Sequence, residues 1–196
     1  MNDTSQDALI VVDLQRGFDD PALGDRSNPD CATNAARLVA HWRECGRPVV
    51  FVRHDSLEPG SPLHTGASGN ALMPELDGEP DLLVVKHVHS AFHGDPDLNE
   101  WLRTRDVDAV TVCGIATDHC CETTARVACD LGYRVRFVLD ATSTFPANHS
   151  SRRHAHARRD RARGRRIAAR RVRRGRRHAR STGRGQLMNS SSTEIS

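Results

Sequence analysis

Lysine is almost absent from this chain of 196 residues. Lys86 is the only one, and every other position among its 28 Lys/Arg residues holds arginine. The two cations are not interchangeable, because lysine carries a compact ammonium on a flexible stem and arginine carries a planar guanidinium. Lys86 directly follows the apolar run Leu82–Val85, where a buried strand would end. A specific need for an ammonium able to tune a nearby nucleophile is the favoured interpretation, and an ordinary surface charge is the alternative.

Other absences limit the class of protein. Aromatic residues make up 4% of the chain, and no apolar run approaches the roughly 18–20 residues of a membrane span. The first residues lack the basic and apolar regions of a signal peptide. The six cysteines include the adjacent pair Cys120-Cys121 and follow no regular spacing. We therefore expect a cytoplasmic protein with free thiols and no membrane partner.

The net charge of +3 hides two different regions. From Ala147 onward there are sixteen arginines and two acidic residues, a net charge of +14, whereas residues 1–146 carry a net charge of −11. Apolar runs alternate with helical patterns only before this boundary. We therefore predict a folded domain over residues 1–146 and an Arg-rich tail over residues 147–196, which is disordered or aberrant.

The first region has the pattern of a parallel sheet with helices between its strands. Its predicted strands are continuously apolar, which is typical of strands buried on both faces. They are Ala8–Val12, Pro48–Val52, Leu82–Val85, Ala109–Cys113 and Val135–Leu139. The predicted helices are Cys31–Glu44, Asp97–Arg103 and His119–Leu131. This alternation predicts a three-layer α/β/α domain with a mainly parallel, Rossmann-like sheet.

Side chains that can take part in catalysis or ligand binding follow several of these strands. In such sheets the ligand crevice lies outside the carboxyl ends of the strands. Asp13 follows the first strand, Arg53-His54-Asp55 the second, Lys86 the third, and a turn leading to Cys120 the fourth. The loop Ser56–Pro80, rich in Gly and Pro, is expected to cover this edge as a lid or wall.

These residue types suit nucleophilic catalysis. Cys120 falls in the first turn of a predicted helix, where the partial positive charge favours a thiolate, and a nearby Lys86 would lower the pKa of the thiol further. Asp13 could accept the thiol proton and pass it to a leaving amine. Backbone N–H groups of Ala116 and Cys120 could form an oxyanion hole. Whether Lys86 reaches Cys120 is not decided by the sequence.

At these residues the chain resembles the isochorismatase-like cysteine hydrolases. Three ordered blocks carry the resemblance, which spans Asp7–Phe145. The blocks are Ala8-Leu9-Ile10-Val11-Val12-Asp13-Leu14-Gln15 with Gly17-Phe18, then Lys86 with Ser90-Ala91-Phe92, then Gly114-Ile115-Ala116-Thr117-Asp118-His119-Cys120-Cys121-Glu122-Thr123-Thr124-Ala125-Arg126.

The resemblance implies a catalytic triad and the surroundings of its nucleophile. Asp13 would be the base, Lys86 the activator and Cys120 the nucleophile. The oxyanion hole would lie at Ala116 and Cys120, beside a cis peptide near Ile115-Ala116. The sheet would have six parallel strands, of which five are readable in this sequence.

The implied reaction is hydrolysis of an amide or ureido C–N bond of a small molecule through a thioester, in a homo-oligomer. Family members that cleave isochorismate, a vinyl ether, need not use the cysteine, so that reaction is an alternative. Cys121 is a rival nucleophile if the register differs by one. Candidates for the substrate pocket are Phe18, His54, Phe92, Ile115 and His119.

No catalytic metal and no other cofactor is expected. Nicotinamidases of this family carry an Asp-x-His metal motif after the second strand, and this chain has Arg53-His54-Asp55 there. His87 and His89 add imidazoles, but no third ligand falls at a telling spacing.

The Arg-rich tail leaves a different class of function open. An arginine-rich arm can bind nucleic acid through phosphates, although this one has no lysine and no aromatic residue. The family would place a sixth strand and a last helix here. A shift of reading frame near Phe145–His149 in GC-rich DNA would explain the composition, and translation of the gene in its other frames would test that hypothesis.

Overall fold

The five predicted strands form one parallel sheet. The computed structural model describes residues 6–146, and the strand order across the sheet is β3-β2-β1-β4-β5. The strands are β1 Gln6–Val12, β2 Val49–His54, β3 Leu82–Lys86, β4 Val107–Ile115 and β5 Arg134–Ser143. The three central strands are buried along most of their length, as their continuous apolar runs predict.

Helices cover both faces of the sheet, which confirms the three-layer α/β/α prediction. On one face, α1 (Cys31–Glu44) packs Val39 and Trp42 against Leu9 and Val11 of β1. On the other, α2 (Leu98–Arg103) and α3 (Glu122–Asp130) pack against the alternate residues of the same strand. Successive side chains of a strand point to opposite faces, so one strand serves both cores.

The predicted third helix is shorter than expected. Its first turn is a π-helical turn over Thr117–Cys121, in which the N–H of Cys121 donates to the carbonyl of Ala116 at 3.1 Å. Regular α-helix begins only at Glu122. Such turns occur mostly as single insertions, often at functional sites. The nucleophile candidate Cys120 therefore lies in this turn and not in an α-helical one.

The long loop between β2 and β3 has two different parts. Asn70 is buried and donates to Asp55 and to the carbonyl of Leu63, which ties the first part to the end of β2. In the second part, Met73 and Leu76 are buried in the core on the α1 side. The loop predicted to be a lid or wall is thus anchored at Asn70 and again at Met73 and Leu76.

Gly114 allows β4 to pass close to β1, and replacing it should be costly. Its φ is +123°, and a Cβ at this position would lie 1.9 Å from the carbonyl oxygen of Val12. We expect Gly114→Ala to lower the free energy of unfolding by on the order of 4 kcal/mol, because backbone atoms of both strands would have to move.

Gly46→Ala is the matched control for that prediction. Gly46 also has a positive φ, +63°, but no atom lies within 4 Å of its would-be Cβ. Only backbone strain of about 1 kcal/mol is expected there. Urea unfolding of the two variants measures the difference. Equal losses in both variants would mean that the close contact between β1 and β4 contributes nothing specific.

Several predictions lie outside the described residues. These are the Arg-rich tail, its possible nucleic-acid binding, the expected sixth strand and last helix, and the frame-shift hypothesis. Among residues 6–146, no helix is long and apolar enough to cross a membrane.

Candidate active site

Side chains from four strand ends meet at one edge of the sheet. Asp13 follows β1, His54 and Lys86 end the paired strands β2 and β3, and Cys120 follows β4 in the π-helical turn. β3 is separated from β1 by β2. The Lys86 side chain nevertheless contacts Asp13, which follows β1, and Cys120, which follows β4. The contact between Lys86 and Cys120, which the sequence left undecided, is present.

The ammonium of Lys86 is the centre of this cluster. Nζ lies 2.6 Å from Oδ2 of Asp13, 3.2 Å from Nδ1 of His54 and 3.4 Å from Sγ of Cys120. The side chains of Lys86 and Asp13 are both 0% exposed. Three N–H donors of the ammonium therefore face three neighbouring side chains. The interpretation of Lys86 as a surface lysine is wrong.

Asp13 has one oxygen engaged and one free. Oδ2 accepts from Lys86, whereas Oδ1 is the one buried side-chain nitrogen or oxygen within residues 6–146 that has no hydrogen-bond partner. Burial raises the pKa of Asp13, and the Lys86 charge opposes that effect. A carboxylate made more basic by burial, with a free oxygen, is suited to accept a proton.

The surroundings of the Cys120 thiol favour its protonated form, whereas the sequence led us to expect a thiolate. Burial raises its pKa to about 12, and the negative charge of Asp13 acts in the same direction. The Lys86 ammonium lowers the pKa but does not offset these two effects. Removing a thiolate from water and placing it beside a carboxylate costs more than one ammonium returns. A reaction at this sulfur would therefore require the proton to leave as the new bond forms.

Gln15 holds the backbone of His54 in place. Its side chain is fully buried, accepts from the His54 N–H at 2.8 Å and donates to the His54 carbonyl at 3.0 Å. A second Gln15 N–H donates to the Asn70 carbonyl at 2.9 Å. Gln15 belongs to the sequence block that carries the family resemblance but received no role from the sequence.

His89 also reaches the nucleophile. Its Nδ1 lies 3.7 Å from Sγ of Cys120, and its ring lies 5.9 Å from that of His119. From the sequence, His89 was a possible metal ligand, and a solvated or substrate-facing histidine was the favoured interpretation. His119, a pocket candidate, is exposed and bonds to Asp118 at 3.1 Å.

The remaining pocket candidates lie in different surroundings. Ile115 is fully buried in the core on the α1 side, so its assignment to the pocket is corrected: alternation along β4 turns its side chain away from Cys120. Phe18 stacks on Phe145 with ring centroids 5.9 Å apart. Phe92 packs near the ring of Tyr133 at the same distance.

The peptide between Ile115 and Ala116 is cis, as the resemblance implies. The carbonyl of Ala116 accepts from His119 and Cys121, which turns the chain into the π-helical segment. Cys121, the rival nucleophile, is fully buried, and burial raises its pKa well above the usual range. It packs in the core beside α3.

A metal ion does not fit the one candidate ligand set within the described residues. Asp13, His54 and Cys120 each offer a ligand atom, and these atoms lie within 4.8 Å of one another. The Lys86 ammonium contacts all three groups, so it already supplies the positive charge there. A divalent ion would have to displace a buried, paired lysine.

Comparisons with known proteins show the family of this chain. The family model of the isochorismatase domain matches residues 7–169. The isochorismatase family protein YrdC of Bacillus subtilis strain 168 is 34% identical over 70% of this chain and 74% of its own. Nicotinamidase 3 of Arabidopsis thaliana is 34% identical over 70% and 73%.

A solved structure extends the similarity to the fold. A hydrolase of the isochorismatase family from Chromobacterium violaceum superposes with a TM-score of 0.70 and 33% identity, covering 79% of this chain and 81% of that one. The family match spans most of the chain and includes every residue of the cluster around Lys86. The chain therefore belongs to the isochorismatase family of hydrolases.

Proposed function

We propose that this protein hydrolyses an amide or ureido C–N bond of a small molecule through a thioester on Cys120. The contact of one buried ammonium with both Asp13 and Cys120, at 2.6 and 3.4 Å, carries this proposal. In the proposed roles, Asp13 is the base and Cys120 the nucleophile, and both lie against one buried positive charge. Relatives named nicotinamidase, streptothricin hydrolase, ureidoacrylate amidohydrolase and N-carbamoylsarcosine amidase support the bond type.

In the first step, Sγ of Cys120 attacks the substrate carbonyl carbon while the thiol proton moves to Oδ1 of Asp13. The carbonyl π electrons move to oxygen, and backbone N–H groups of Ala116 and Cys120 are the proposed donors to that oxyanion. The C–N bond then breaks, and Asp13 returns the proton to the leaving nitrogen. The products of this step are a free amine or ammonia and an acyl or carbamoyl thioester on Cys120.

In the second step, water hydrolyses the thioester. The water oxygen attacks the thioester carbonyl carbon while Asp13 accepts a proton from that water. Asp13 then gives this proton to the departing sulfur of Cys120. The acid is released, and the thiol is restored. Lys86 keeps its charge throughout, so it stabilises the carboxylate of Asp13 and the negative charge that develops on sulfur in both steps.

A panel of small amides tests this function. The full chain is incubated with nicotinamide, ureidoacrylate and N-carbamoylsarcosine, and release of the amine or ammonia and of the acid is measured. We expect at least one compound to be turned over with kcat/KM on the order of 10⁴-fold or more above that of Cys120→Ala. Cys45→Ala, which removes an exposed cysteine at the end of α1, is the matched control and should retain wild-type rates. Turnover of isochorismate alone, equal in wild type and Cys120→Ala, would overturn the proposal.

A further inference from the structure

The triad of Asp13, Lys86 and Cys120 gives no role to the contact between the Lys86 ammonium and His54. An ammonium has three N–H donors and no acceptor. Two of those donors serve Asp13 and Cys120, and the third points to Nδ1 of His54 at 3.2 Å. Nδ1 must therefore be unprotonated, and a neutral His54 ring then carries its proton on Nε2.

We propose that His54 is a positioning residue for the nucleophile: as the neutral Nε2–H tautomer, it accepts the third N–H of Lys86 and so holds Nζ between Asp13 and Cys120. The inference rests on the proposed function for its catalytic consequence. Without this acceptor, the ammonium would have one donor unpaired in a buried site and could rotate away from Sγ. Such an unpaired donor is costly, so the site would rearrange.

The surroundings of His54 hold its ring in place for this task. Gln15 clamps the backbone N–H and carbonyl of His54, as described above. Asn70 donates to the same carbonyl at 3.3 Å. The ring therefore stands on a backbone segment fixed by two side chains, and its orientation is set by the Lys86 contact.

Burial and the neighbouring charges keep the His54 ring neutral. Burial lowers the pKa of His54 to about 4, and Lys86, His89 and His87 act in the same direction. Asp55 raises it, but that carboxylate is engaged by Arg53. Asp13 and Cys120 complete the groups around the ring. Protonation of Nδ1 would remove the acceptor and set a second positive charge against Lys86.

Three variants of His54 separate an acceptor at Nδ1 from other roles of the ring. The Oδ1 atom of asparagine is the same number of bonds from Cβ as Nδ1, whereas glutamine places its oxygen one bond farther along the side chain. We expect His54→Gln and His54→Leu to lower kcat by about ten- to a hundredfold, as for a lost hydrogen bond to a charged group, with KM nearly unchanged. His54→Asn should recover kcat to within about fivefold of wild type. His41→Asn, on the exposed side of α1, is the control and should match wild type.

The kinetic results have a clear contrary outcome. If His54→Asn falls as far as His54→Leu, or if all three variants change KM instead of kcat, the proposal is wrong and the ring acts on the substrate or the fold. Unfolding in urea is measured for each variant, so that a loss of kcat is compared among equally folded proteins.

A measurement on the free enzyme decides the matter without a substrate. Nitrogen-15 NMR of the imidazoles, with the His54 signal assigned by its absence in His54→Asn, reports which ring nitrogen carries the proton. We expect an unprotonated Nδ1 at neutral pH in wild type, and a higher His54 pKa in Lys86→Met, because a repelling charge is removed. A protonated Nδ1 at neutral pH, or a pKa that Lys86→Met leaves unchanged, would overturn the proposal. If no amide is hydrolysed, the proposed function fails, and this spectrum still tests the contact with Lys86.

Discussion

Cys120→Ala should reduce turnover of any amide substrate by on the order of 10⁴-fold or more, because the sulfur forms the covalent bond and no neighbouring group replaces it. Stability should change little in comparison. The side chain is nearly buried, and its removal deletes one sulfur atom beside a cluster that keeps its other contacts. Initial rates at saturating and at low substrate concentration, together with urea unfolding, measure both effects.

Cys121→Ala is the matched control for this prediction. Cys121 is the adjacent residue and is fully buried in the core. Its loss should cost about 1 kcal/mol of stability and leave the rate within a few-fold of wild type. A larger loss of activity in Cys121→Ala than in Cys120→Ala would contradict the assignment of the nucleophile and favour the neighbouring thiol.

Removing either charge of the Lys86–Asp13 pair should be strongly destabilising, and removing both should be less so. The two side chains are fully buried, so a single substitution leaves the other charge unpaired in the interior, at a cost of about 3–5 kcal/mol. We expect Lys86→Met and Asp13→Asn each to show that loss in urea unfolding. The double variant should lose about 2 kcal/mol less free energy of unfolding than the sum of the two single losses.

A surface pair provides the control for this double-mutant cycle. Arg134 and Asp108 lie 2.9 Å apart, and both side chains are more than half exposed. Asp108→Asn with Arg134→Met should show a coupling of at most about 1 kcal/mol. Additive losses at Lys86 and Asp13, as small as those at the surface, would mean that the buried contact is not an ion pair of consequence.

Lys86→Arg tests why the single lysine of the chain is at this position. The guanidinium is larger and planar, and it cannot bring one nitrogen to 2.6, 3.2 and 3.4 Å from three acceptors in a fully buried site. We expect kcat/KM to fall by about 10²-fold or more through misplacement of Cys120 and Asp13. A variant as fast as wild type would show that any cation suffices.

The parallel sheet, and the meeting of its strand ends at one edge, could be predicted from the sequence. Continuous apolar runs specify strands buried on both faces, and the carboxyl ends of parallel strands meet at one edge. This placed Asp13, Lys86 and Cys120 together before any distance was measured. Strand bounds were less accurate: β5 extends to Ser143, well past its apolar run, because its last residues pair with the end of β4.

The protonation state of Cys120 and the role of Gln15 could not be predicted in the same way. Local sequence showed a helix start and a lysine, which favour a thiolate, but it did not show the depth of burial or the nearness of the Asp13 charge. The contacts of Gln15 join residues 39 and 55 positions apart, so no local pattern reports them. Ile115 was a pocket candidate within the third block of the family resemblance, whereas strand alternation decides which face its side chain occupies.

The most direct test of the account is to trap the thioester. The full chain is mixed with a substrate that it turns over, quenched in acid, and measured by intact-protein mass spectrometry, after which the modified peptide is sequenced. We expect one acyl or carbamoyl group, added to Cys120 and absent from Cys120→Ala. An adduct on Cys121, or full turnover in Cys120→Ala with no adduct on the wild type, would contradict the account.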